Sequence, residues 1–271
     1  MNVAVAGLGL IGGSLALALR SHHRVRAFDT SDATRDAARQ AGIETTDRLE
    51  GLLPADVAIV ATPLASVVTT LAALTANAGS TVLMEVGSLK AAVAAFAETA
   101  PATARIVSAH PMAGATTAGF TAARADLFHD RPFLIVPTAR SDASAMAVAG
   151  DIARDAGGVV TVCTAVVHDR AMAFLLAAPL AAASALAVAG AEAGSLLRLA
   201  GPGFRDTTRL AGTPLDLAEQ LLSANAGNVV AALAALRTAL GEIEGAVADR
   251  DRDALRALLT RAAEMRGKLD T

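Results

Sequence analysis

The chain has little of what several chemistries require. One cysteine, Cys163, stands among 271 residues, so no internal disulfide can form, and this usage fits a reducing, cytoplasmic compartment. Cys163 reads as a buried strand residue rather than a nucleophile. The five histidines are scattered, and no spacing of histidine, cysteine and carboxylate suits a metal ion, so no metal site is expected. Charged residues make up 18% and the formal net charge is −3, which gives no field to attract nucleic acid or an anionic membrane surface. The N-terminus has no basic leader segment and opens directly on an apolar strand, so no signal peptide is expected. Residues 166–271 hold a single lysine, Lys268, near the end. What is plentiful is apolar surface: 54% of the residues are hydrophobic, enough for one large domain or two ordinary ones.

One uncharged run, Ala171 to Ala191, has the length of a membrane span. It is mostly alanine, which gains little on transfer, it contains Pro179, and no second such run accompanies it. The expectation is a helix buried on all sides, in a helical domain or at a subunit interface, with no membrane partner.

The most informative stretch is Val3 to Asp29. An apolar run meets Gly7-Leu8-Gly9-Leu10-Ile11-Gly12, a helix-like segment follows, and a second apolar run ends in Asp29. This is the dinucleotide fingerprint in its proper setting: strand, glycine turn, helix, strand, acid. Gly7 permits the tight turn, Gly9 lets a pyrophosphate approach the backbone, and Gly12 lets helix and strand pack closely. The first-turn amides, from Leu10 and Ile11 onward, favour phosphate charge. Asp29 lies about 20 residues past the central glycine, where a carboxylate accepts hydrogen bonds from ribose hydroxyls. That favours NAD, because a carboxylate repels a 2′-phosphate; Arg24, Arg26 and Arg35 lie near enough in sequence to keep NADP open.

Beyond the fingerprint, strands at 2–6, 24–28, 43–45, 56–62, 81–86 and 105–109 alternate with helices at 11–21, 30–42, 64–76 and from Gly87-Ser88-Leu89-Lys90. The alternation predicts a doubly wound parallel sheet with helices on both faces. Thr62 and Pro63 end one strand and should line the cofactor cleft. Two further strands, 132–137 and 159–163, flank a helix at 142–156. After Val167 no segment reads as a strand. The chain is therefore expected to divide into a Rossmann domain, 1–165, and an all-helical domain, 166–271. The second is apolar on several faces and is expected to form a homodimer.

Candidate reacting groups follow from position. His110 directly follows a parallel strand, so it should face the nicotinamide side of the sheet, where a neutral imidazole is a suitable general base. Ser88 follows another strand at the same cleft; it can bond to His110 or a substrate hydroxyl, or cap a helix. Arg209 lies in an apolar domain with few cations and can hold a carboxylate in bidentate fashion, or pair with Asp206 or Asp216. His168, at the start of the long helix, is either a capping or interdomain residue or a part of the site. His22, His23 and His129 read as exposed bystanders.

Together these pieces resemble the prephenate/arogenate dehydrogenase family of tyrosine biosynthesis. The resemblance rests on Gly7 to Ser14, Val86-Gly87-Ser88-Leu89-Lys90 and His110-Pro111-Met112-Ala113-Gly114. It continues through Ala125 to Phe128 with Arg131-Pro132, His168-Asp169-Arg170, and Gly203 to Arg209. It implies a helical dimerisation domain and an NAD-dependent oxidative decarboxylation of prephenate to 4-hydroxyphenylpyruvate. His110 would take the hydroxyl proton, Ser88 would align it and Arg209 would hold a substrate carboxylate. The chain departs from the family pattern twice. Where many members carry Ser-His-x-Pro, this chain has Leu176-Ala177-Ala178-Pro179, and where many have a substrate-side glutamate it has Thr116. Both changes bear on the substrate, so arogenate or an amino-substituted prephenate analogue competes with prephenate. Two other classes stand against this reading. One is a different Rossmann hydroxyacid or imine reductase, which usually needs a lysine in the helical domain. The other is a non-catalytic nucleotide-binding protein.

Overall fold

A computed structural model describes residues 1–114 and 117–269. Its central sheet comprises β1 (Asn2–Ala6), β2 (Arg24–Phe28), β3 (Glu44–Thr45), β4 (Val57–Val60), β5 (Val82–Glu85), β6 (Arg105–Pro111), β7 (Pro132–Pro137) and β8 (Val159–Val162). The strand order is β3-β2-β1-β4-β5-β6-β7-β8. The order reverses between β1 and β4, and this switch point opens a crevice beyond the carboxyl ends of the strands. The helices of this layer are α1 (Leu10–Leu19), α2 (Asp32–Gln40), α3 (Val67–Thr75), α4 (Ala91–Thr99) and α5 (Ala143–Asp155).

The apolar strands are continuous runs because both faces of the sheet are covered. Side chains alternate between the two cores. Val3, Val5, Val57, Ile59, Met84 and Val107 pack on one face with Leu15, Leu19 and Ile152 of α1 and α5. Ala4, Ala6, Ala58, Val60, Leu83 and Ile106 pack on the other with Leu71, Leu74 and Val93 of α3 and α4. That alternation carries Glu85 and His110 to the α3/α4 face. Local signals set the helix ends. Ser31 Oγ accepts the Thr34 N–H at α2, and the Asp142 carboxylate accepts the Ala145 N–H at α5. Each such cap contributes about 1 kcal/mol.

The sheet is mostly parallel, with one departure from expectation. β7 runs antiparallel to β6, pairing His110 with Leu134, while β8 is parallel to β7. The cause lies in the connection. Among the described residues of 112–131 the only helical segment is a short 3-10 turn, Phe120–Ala122, and an antiparallel neighbour needs no crossover helix. Cys163 lies one residue past β8 and is half-buried; its N–H donates to the Ile135 carbonyl.

By internal contacts the chain forms two compact units, residues 1–172 with 212–225, and residues 173–211 with 226–271. The first includes α6 (Ala165–Met172) and, further along, α9 (Leu215–Ser223). The second contains α7 (Ala178–Ala189), α8 (Pro202–Thr208), α10 (Ala226–Ala248) and α11 (Arg252–Gly267). The expectation of a long helix buried on all sides fails within one copy of the chain. Ala173–Ala177 is a π-helical turn leading into α7, and only Ala178, Leu180 and Ala183 of α7 are buried. Leu186 and Val188 are exposed. Small alanines let neighbouring helices approach on one side but leave the leucine side uncovered. Both 165–199 and 226–248 are long and apolar enough for a membrane span by length and composition alone, but the first is broken by that π turn and by Gly194.

Candidate active site

The glycine loop is organised as its residue types require. Gly7 has φ +93°, and a Cβ there would lie 2.7 Å from the Ala61 carbonyl oxygen. A Cβ on Gly12 would strike the Gly7 carbonyl oxygen, whereas one on Gly9 would meet nothing within 4 Å. Gly7 and Gly12 thus serve the fold, and Gly9 keeps open the space that a pyrophosphate needs. Gly9 caps α1, so the Leu10 and Ile11 amides form its first turn. Asp29 follows β2 and is fastened to the loop: its Oδ2 accepts the Leu8 N–H at 2.8 Å and its Oδ1 the Ser31 N–H at 2.9 Å. Each oxygen retains a lone pair for a ribose hydroxyl.

Thr62 and Pro63 follow β4 at the other side of the switch point. The Thr62 hydroxyl is buried with no partner among the described residues. An open backbone cradle, a fixed carboxylate and an orphaned hydroxyl together fit a dinucleotide. Three nearby arginines have acidic partners. Arg24 and Arg26 pair with Glu44, while Arg35 pairs with Asp32 and donates to the Asp29 carbonyl.

At the β5 and β6 edge the structure brings together a buried polar cluster. His110, the penultimate residue of β6 rather than the residue after it, is 7% exposed. Its Nδ1 lies 2.9 Å from His168 Nε2, and His168 Nδ1 lies 2.7 Å from Asp169 Oδ1. The Asp169 carboxylate also accepts the Lys90 and Ala91 N–H groups, both at 2.9 Å. It therefore caps α4 from 78 residues away in sequence, at the end where helix amides favour an anion. Asn225 Nδ2 donates to the Asp169 carbonyl at 2.7 Å, tying α6 to the segment after α9.

Beneath lies an ion pair with both side chains fully buried. Lys90 Nζ donates to Glu85 Oε2 at 2.7 Å and to the carbonyl of Ala109, the residue before His110, at 2.7 Å. Glu85 also accepts the Gly87 N–H. A buried lysine is tolerable only with such partners.

These contacts set the protonation states. Burial, then the Lys90 ammonium and His168, hold His110 well below the ordinary imidazole range, so it is neutral near pH 7. Burial would raise Asp169, but hydrogen bonds from His168 and from the Lys90 and Ala91 amides outweigh it and hold the carboxyl below its usual range. Burial lowers Lys90, against the pull of Glu85.

The other expected residues fall less tightly. Ser88 is half-buried in the β5–α4 connection, and its hydroxyl has no partner among the described residues. It does not cap α4; Lys90 occupies the cap position and Asp169 serves the amides. Arg209 is exposed in the second unit and makes no ion pair with Asp206 among the described residues. Thr116 lies outside the described residues. His23 is no exposed bystander: its side chain is 8% exposed and pairs with Asp155 at 2.8 Å. Lys90, Glu85 and Asp169 belong to the cluster without a motif of their own. A charge at the end of the otherwise apolar strand Thr81 to Val86 was the available signal, because such a charge needs a partner when both faces are covered.

The comparisons with known proteins point to one family. The model described as "Prephenate dehydrogenase, nucleotide-binding domain" matches residues 15–162. The one described as "Prephenate dehydrogenase, dimerization domain" matches residues 164–261. A cyclohexadienyl dehydrogenase of Zymomonas mobilis is 29% identical over 94% of this chain and 91% of its own. The crystal structure of Synechocystis arogenate dehydrogenase is 28% identical, with TM-score 0.86 over 99% of this chain and 100% of that one. The prephenate dehydrogenase from A. aeolicus, solved with hydroxyphenyl propionate and NAD+, shares the fold at TM-score 0.90 and 22% identity, over 99% of this chain and 98% of that one. With a nucleotide cradle on one side of the sheet edge and a neutral buried histidine on the other, this chain belongs to the prephenate dehydrogenase family of oxidoreductases.

Proposed function

We propose that the protein catalyses the NAD-dependent oxidative decarboxylation of prephenate to 4-hydroxyphenylpyruvate, with His110 as general base. The observation that carries this is a neutral imidazole at the carboxyl end of β6, with Nδ1 engaged by His168 and Nε2 left for a substrate. NAD, when bound, supplies the hydride acceptor. Gly9, Leu10 and Ile11 would hold its pyrophosphate, Asp29 its ribose, and Thr62 and Pro63 would line its path. His110 takes the proton of the substrate hydroxyl at Nε2. Ser88 can donate to the same oxygen and align it. Loss of the ring carboxylate aromatises the product, so the protein has chiefly to orient groups and place one base. Arg209 and Thr116 are proposed as substrate-side contacts.

Arogenate is the second reading. One similar protein bears the arogenate name, and by the resemblance Ala177 and Thr116 stand where the family pattern has a histidine and a glutamate. The exposed leucine side of α7 and the dimerization description of residues 164–261 support a homodimer, rather than a bilayer, as the cover of that face. A four-way assay, prephenate and arogenate each with NAD and NADP, tests the assignment. The expected outcome is fastest nicotinamide reduction with prephenate and NAD. Turnover of arogenate alone would move the substrate to the second reading, and no turnover with either would sink both.

A further inference from the structure

The base at His110 has a direction as well as a position. We propose that His168 and Asp169 are positioning residues that fix His110 as the Nδ1–H tautomer, leaving Nε2 as its proton-accepting atom; this rests on the reading of His110 as the base.

The argument is one of donor and acceptor counting. Asp169 accepts two backbone amides, from Lys90 and Ala91, and so is held in place as an acceptor-only group. His168 Nδ1, 2.7 Å from its Oδ1, must then donate. A neutral imidazole carries one N–H, so His168 Nε2 is an acceptor. His110 Nδ1, 2.9 Å from that atom, must donate in turn. The only lone pair left on the His110 ring is at Nε2. The reverse chain, with His110 Nδ1 accepting, would leave the buried carboxylate without its His168 donor, or would place a second N–H and a positive charge on the fully buried His168 ring. Either costs more than the arrangement that satisfies every atom with His168 uncharged.

The same chain serves the reaction. When Nε2 takes the substrate proton, the new imidazolium still donates through Nδ1 to His168, whose other nitrogen faces the Asp169 charge. The roles parallel those of a histidine oriented by a carboxylate in acyl-transfer triads, with an imidazole interposed. Lys90 completes the setting from behind, through the Ala109 carbonyl, and fixes the backbone on which the ring stands.

The test is the tautomer itself. Full-length protein labelled with 15N-histidine is examined by long-range 1H–15N correlation, with His110 identified by the signal lost in His110→Asn. The expected result is a protonated Nδ1 and a bare Nε2 at His110; a protonated Nε2 overturns the proposal. Two variants add a kinetic arm. His168→Gln can still present an oxygen to the His110 N–H, whereas His168→Leu cannot. With prephenate and NAD, kcat should fall about 100-fold in His168→Leu and less than about 10-fold in His168→Gln, with KM changing by less than about 2-fold. Equal kcat in His168→Leu and the wild type overturns the positioning role. Should His168→Leu fail to fold, the wild-type spectrum and the Gln variant still decide. If His110→Asn keeps full turnover, the base assignment falls, and the spectrum still reports on the tautomer separately.

Discussion

The two units solve opposite problems with their side chains. The first buries charge. Every buried polar or charged side chain among the described residues belongs to it, including Glu85, Lys90, His110, His168 and Asp169. The second exposes grease: Leu186, Val188, Leu199, Leu240, Ile243 and Val247 are all open to solvent. A doubly wound sheet can satisfy buried polar groups, because strand ends and helix starts converge there with unpaired amides and carbonyls. Alanine-rich helices bond their own backbones internally and offer no such partners, so their surface is completed by packing. One unit holds the buried polar network, and the other leaves an apolar groove lined by Pro179, Ala182, Leu186, Leu210, Leu236 and Leu240.

That contrast can be broken from either side. The largest effect on stability is expected at the buried pair. Glu85→Gln leaves the Lys90 ammonium without its carboxylate and should cost about 3 kcal/mol, read from denaturant unfolding. A loss below about 1 kcal/mol would show that the pair is not the support described. On the helical side, Leu186→Glu and Leu240→Glu should convert dimer to monomer in sedimentation while the nucleotide still binds. An unchanged dimer would place the interface elsewhere. Asp29→Ala should raise the NAD dissociation constant about 10-fold and affect NADP less, because its carboxylate serves a ribose hydroxyl. Equal loss of both would contradict that contact.

The smallest effect is on pH. The folded value of His110 lies below its unfolded value of about 6.5, so the unfolded chain binds the proton first. Its contribution to stability is complete above that value and is lost as pH falls toward the folded value. His110→Asn should therefore unfold less steeply with acid than the wild type across that window; equal slopes would mean the ring is not held neutral by burial.

Much of the first unit could be read from the sequence, and for a physical reason. Parallel strands covered on both sides are short apolar runs, a nucleotide turn needs glycines at fixed offsets, and a histidine that follows such a strand must reach the sheet edge. These are local consequences of local sequence. Strand direction is not, since an apolar run looks the same either way, and β7 proved antiparallel. Nor was the cluster legible. His110 and His168 are 58 residues apart, Lys90 and Asp169 79 apart, and their pairing depends on how α4 and α6 close over β5 and β6. His23 met Asp155 across 132 residues in the same way. The exposure of α7 escaped for another reason: apolar composition predicts that a surface will be covered but not by which chain.

The account stands on His110, and one measurement tests it most directly. Prephenate turnover and NAD affinity are compared in the wild type and in His110→Asn. The prediction is a loss of about 1,000-fold or more in kcat with the NAD dissociation constant unchanged. Full turnover in the variant would contradict the assignment of the base, whatever the fold shares with its relatives.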